Sequence, residues 1–217
     1  MQRFKRNQIN EALEAILSDN VDAGLGADVK TRIRRLLEID RWLTESDGRR
    51  RYAFYSKDSP GSGSEVGYSP YETFALLAGL CFLQLGWPQQ TVVRVMRLVR
   101  PVLEIEHARI RGGTANQTAT RSPAAKVRRP PGISVLASND PVFLAIFASG
   151  RTSADRSSLA THSVTIRRSE RDLMSFWKEQ TGIGLTSMTN IEITHLVYAL
   201  EDQLGRRPPR ARGRKAK

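Results

Sequence analysis

The residues best placed to do chemistry in this chain are cations. Lys30, Thr31, Arg32, Arg34 and Arg35 fall within six consecutive positions. On a helix, Lys30 and Arg34 form one i, i+4 row, and Thr31 and Arg35 form the next. Such a face suits a major groove, where arginine pairs bidentately with guanine edges and threonine meets thymine methyls or phosphates. Arg49, Arg50, Arg51 and Tyr52 form a second basic group, fitted to bridging phosphates or probing a minor groove. Gln90, Arg94 and Arg97 share a third face, a rival for base reading. Arg210, Arg212 and Arg214 lie in GRRPPRARGRKAK, an acid-free tail suited to sequence-independent neutralisation of phosphates. Seven phosphate contacts from that tail would give a salt slope of roughly −6.

Catalytic patterns do not stand beside these cations. His107, His162 and His195 are far apart and show no metal-ligand spacing. The chain has no phosphate-cradling glycine loop and no Gly-x-Ser-x-Gly elbow. Its one cysteine, Cys81, sits in an apolar run, as a core residue would. The expectation is a protein that is not an enzyme and needs no metal or cofactor.

Charge distribution says more than its total. The 217 residues carry a net charge of +12. Residues 205–217 hold seven Lys/Arg and 112–132 hold four, with no acid in either. The remainder is nearly neutral, and residues 133–204 are mildly acidic, with six Lys/Arg against eight Asp/Glu. A polyanionic partner follows, nucleic acid ahead of membrane, because no strongly apolar amphipathic face accompanies the charge. With 40% apolar residues the chain can build a core. The opening MQRFKRNQINEAL lacks an apolar signal core, and no run reaches the ~18 residues of a membrane span. A cytoplasmic, nucleoid-associated protein of bacterial type is expected.

Several elements must position these groups. Ile9, Ala12, Leu13, Ile16 and Leu17 predict an amphipathic helix over 7–17. Val29, Ile33, Leu36, Leu37 and Leu43 predict another over about 28–44, behind the basic rows. Tyr52, Phe54 and Tyr55, the turn chemistry of KDSPGSGS and the stretch Glu65–Tyr68 read as a β-hairpin. Ser69, Pro70 and Glu72 make a capping box before a nearly all-apolar helix. Gly86 then stops that helix, and Pro88 starts another. Pro101 should break or kink that path before a short helix. Residues 112–132 read as a linker. Beyond it, VFLAIFA is a helix or strand, SVTIR a strand, Ser169 with Asp172 a cap, and Thr189 with Glu192 a second capping box.

In that order, residues 7–99 resemble the DNA-binding domain of MerR-type transcriptional regulators. Arg51-Tyr52 stands in the wing position, and Leu85-Gly86-Trp87-Pro88 stands between paired helices. The Gly-x-[LVF]-Ala opening and the Tyr-Tyr-Glu of that family are missing, and its metal-binding cysteines are absent. The resemblance implies a helix-turn-helix and wing on double-stranded DNA. The fold class is thus mainly α with a small β-hairpin (winged helix-turn-helix-like), plus a small C-terminal α+β module. The division is 1–111 for DNA binding, 112–132 as basic linker, 133–204 for dimerisation or sensing, and 205–217 as basic tail. A homodimer follows from the usual two-fold logic of such regulators. The alternatives are an RNA-binding or ribosome-associated protein and a protein–protein interaction module of phage or antitoxin type.

Overall fold

A computed structural model describes residues 2–18, 26–44, 51–56, 67–117, 141–149, 162–181 and 185–207, and the account below concerns those residues. The elements are β1 (Phe4–Lys5), α1 (Arg6–Ser18), α2 (Gly26–Trp42), β2 (Gly67–Tyr68), α3 (Pro70–Gln84) and α4 (Gln89–Gln117). They are followed by β3 (Phe143–Ser149), β4 (His162–Arg167), α5 (Glu170–Thr181), β5 (Leu185–Glu192) and α6 (Ile193–Gly205). The fold is mainly helical with small antiparallel sheets.

The helix α3 is the centre. Its residues from Pro70 through Leu80 are all buried, as a helix apolar on every side must be. Both halves of its capping box form: Glu72 N donates to Ser69 Oγ at 3.1 Å, and Ser69 N donates to Glu72 Oε2 at 2.6 Å. Gly79 has no side chain where Phe54 presses on the helix; a Cβ there would lie 3.1 Å from the ring. Gly86 takes φ +85°, the left-handed value that ends the helix. From Gln89, α4 runs unbroken to Gln117 with Pro101 inside it, so the expected break does not occur. It also carries helix into the stretch expected to be linker.

The apolar stripes of α1 and α2 are where the sequence puts them. Ile9, Leu13, Ile16 and Leu17 are buried from α1, and Val29, Ile33, Leu36 and Leu37 from α2. Against them lies a helix of the other half of the chain. α6 packs on α1, α3 and α4, and Leu196, Val197, Leu200 and Leu204 join the same core as Phe74 and Leu77. The expected division at 112–132 therefore does not separate two cores among the described residues. The physical reason is that α6 buries its apolar face against α1, α3 and α4 as well as against β3.

That sheet has the order β4-β3-β5, antiparallel throughout. Its central strand, β3, is covered on both faces, which explains an unbroken apolar run. Leu144 and Ile146 face the helical core, while Ala145 and Phe147 pack with Leu173, Phe176 and Trp177 of α5. Asp172 N donates to Ser169 Oγ at 3.0 Å, the cap expected for α5. The second expected box fails: Thr189 lies within β5, and Glu192 makes no side-chain cap for α6.

The expected β-hairpin does not form among the described residues. β2 pairs instead with β1, Phe4 opposite Tyr68, and residues 51–56 are not a strand. Side chains have taken the groups a ladder would need. Ala53 N and Phe54 N donate to the Asp40 carboxylate at 3.0 and 2.9 Å. Arg100 Nη1 donates to the carbonyls of Tyr52 and Tyr55. Arg97, expected on an outward basic face, is the other correction. Its side chain is 3% exposed and its Nε donates to Asp40 Oδ1 at 2.9 Å. Its two Nη atoms donate to the carbonyls of Leu43 and Asp40. Burial pushes the Asp40 carboxyl upward, while the hydrogen bonds from Ala53, Phe54 and Arg97 pull it down. Removing one member strands the other in the core. Arg97→Ala should therefore lower unfolding stability by about 3–5 kcal/mol, read as a fall in urea midpoint at neutral pH.

Candidate nucleic-acid interface

One side of α2 is buried, which leaves the other as a basic surface. Lys30, Arg34 and Arg35 are exposed there, and Thr31 and Arg32 are half-buried beside them. Lys30 Nζ lies 3.7 Å from Glu14, and Arg34 Nε lies 3.8 Å from Glu38. Surface pairs of this kind contribute at most about 1 kcal/mol, so a phosphate can replace the carboxylate cheaply. Arg41, further along the helix, is exposed but its side chain hydrogen-bonds to the buried Tyr55, so it belongs to the edge of the core rather than to this face.

Trp42 was missed as a candidate and is the most exposed large apolar side chain described, at 79%. It lies seven residues after Arg35, on the same side of the helix. The signal was available in its position, since it falls off the stripe formed by Val29, Ile33, Leu36 and Leu37.

The remaining candidates are dispersed. Arg51 is exposed and Tyr52 half-buried, its ring edge-on to Tyr55 with centroids 5.9 Å apart. Both lie in the strap held by Asp40 and Arg100 rather than in a wing. Arg94 is half-buried on α4, and Arg97 is withdrawn into the core. Arg49, Arg50, Arg210, Arg212 and Arg214 lie outside the described residues. Of the expected set, the structure groups only those on α2.

Among the described residues no three His, Cys, Asp or Glu side chains come together to hold a metal. No described helix is long and apolar enough to cross a membrane. Cys81 packs against the core, and burial pushes its thiol up to about 12. Glu106 is held below the usual carboxylate range: burial opposes this, but hydrogen bonds from Arg168 and Arg109 prevail. Comparison with protein families, curated proteins and solved structures finds no match for the chain.

His107 is buried, stacked on Phe74 with centroids 4.9 Å apart and edge-on to Tyr71. Burial, with Arg111 nearby, pushes it down to about 4 from 6.5. The unfolded chain therefore binds a proton here that the folded chain refuses between those two values. Stability should fall as pH drops through that window, by up to about 3 kcal/mol from this group. Urea midpoints from pH 7 to pH 4 should show it, and His107→Leu should flatten the dependence.

Proposed function

We propose that this protein is a DNA-binding transcriptional regulator that reads duplex DNA with the outer face of α2. The single observation that supports the reading is the two-sidedness of that helix. Lys30, Arg34 and Arg35 stand on its outer side while its apolar stripe is locked in the core. The pair α1–α2 would act as the helix-turn-helix, in the manner of the MerR-type order. The second pair, α3–α4, serves as scaffold, and a wing is no longer part of the proposal. Arg51 and the basic tail would add contacts to phosphates.

Salt titration tests this. With the full chain, an Arg34→Ala, Arg35→Ala double variant should bind its selected duplex at least about tenfold more weakly and with relaxed site preference, and each of the two that meets a phosphate should flatten the salt slope by about 1 when removed. Unchanged affinity and site preference in fluorescence anisotropy would remove α2 from the role. An RNA reading has one observation in its favour, the exposed Trp42 beside these cations, because unpaired bases stack on aromatic rings. Tighter binding to single-stranded RNA than to any duplex, lost in Trp42→Ala, would select it.

Self-association belongs to the same proposal. Leu98, Val102 and Ile105 are exposed on α4 at i, i+4 and i+7, a narrow apolar seam. A second copy laid on this seam would supply the two-fold of a palindromic operator. Sedimentation should give a dimer for the full chain and a monomer for Val102→Asp, with the helical circular dichroism unchanged.

A further inference from the structure

Four elements of the helical core leave a cavity of about 230 Å³ where they meet. Phe4 on β1 and Pro70 at the start of α3 bound one side. Val197, Leu200 and Leu204 of α6 give it an apolar wall. A dry cavity of about 150 Å³ already holds a benzene ring, so this one takes a somewhat larger molecule.

Its polar side chains are four: Gln2 at the rim beside β1, and His107, Arg111 and Glu201. His107 and Arg111 project from successive turns of α4, and Glu201 faces them from α6. Arg111 Nε donates to Glu201 Oε1 at 2.5 Å. Both side chains are about one-third exposed, at 36% and 35%, so they are reachable from solvent. The lining therefore offers one cation and one anion in contact, with no net charge, above an apolar wall. A simple carboxylate would be attracted by Arg111 and repelled by Glu201, and a simple amine would meet the reverse. A molecule carrying both charges on one carbon can bridge the two groups, its carboxylate on Arg111 and its ammonium on Glu201.

From this arrangement we propose that the cavity is a binding site for a small apolar α-amino acid. The amino acid side chain lies against Val197, Leu200 and Leu204, and His107 closes the polar end. The occupant joins α4 to α6 and so bridges the halves of the chain on either side of residues 118–140. This site is separate from the basic face of α2 and stands whether or not that face binds DNA.

Titration calorimetry on the full chain tests it with three probes of one carbon skeleton. These are L-leucine, 4-methylpentanoate (no ammonium) and 3-methylbutylamine (no carboxylate). Leucine should bind saturably with a Kd of about 1 mM or tighter, and each singly charged analogue at least about tenfold more weakly. Leu200→Trp, folded by circular dichroism, should fill the space and abolish the heat. If that variant does not fold, Glu201→Gln should weaken leucine by about tenfold or more while leaving 4-methylpentanoate unchanged or tighter. The proposal is overturned if leucine gives no saturable heat, if either analogue matches it, or if a folded Leu200→Trp still binds. It is equally overturned if Glu201→Gln leaves leucine binding unchanged.

Discussion

The buried pair of Asp40 and Arg97 is the constraint on which the first half of this molecule depends. One carboxylate takes two backbone N–H groups and a guanidinium, and that guanidinium also caps carbonyls at the end of α2. Three pieces of chain meet at this point: the end of α2, the strap 51–56, and the middle of α4. Charges so placed gain little net energy against an apolar replacement, because both must be desolvated. What they supply is geometry. They fix the strap beside α3, where Phe54 seats against Gly79, and they hold α2 so that its basic side faces outward.

Arg100 extends the same device by one turn. It donates to two carbonyls of the strap and sits 5.3 Å from the Tyr71 ring. Together the two arginines turn a segment rich in strand-forming aromatics into an irregular strap. On the far side of α4, Glu106 ties Arg109 of its own helix to Arg168 at the end of β4. The long helix is therefore the common rail for both halves of the chain, and α6 completes the join from the other side.

Much of this was legible in the sequence, and the failures share one cause. Ser69, Pro70 and Glu72, the left-handed Gly86, and the stripes of α1 and α2 are local signals, and local geometry settled each of them. Arg97 looks like Arg94 at the level of spacing, and only its partner 57 positions away distinguishes them. The aromatic run 52–55 carries real strand preference, overridden by side chains from two distant helices. Thr189 with Glu192 has the spacing of a box, but pairing with β3 claims Thr189 first. On the candidate interface, the basic rows of α2 were readable because their apolar complement was. The cavity was not readable, since Phe4, His107 and Glu201 converge only through tertiary packing.

The contact between α1 and α6 has a consequence for how the molecule is made. Gln8 Nε2 donates to the carbonyls of Leu204 and Arg207, across 196 and 199 positions. On a ribosome, α1 (Arg6–Ser18) emerges long before the helix that covers part of it, α6 (Ile193–Gly205). At roughly 5–20 residues per second the wait is about 10–40 s. During that interval the side of α1 that meets α6 lacks its final cover, and nascent chains in a polysome carry the same uncovered side next to one another. The time of greatest exposure to aggregation is thus set by chain order, and it ends only when α6 leaves the exit tunnel.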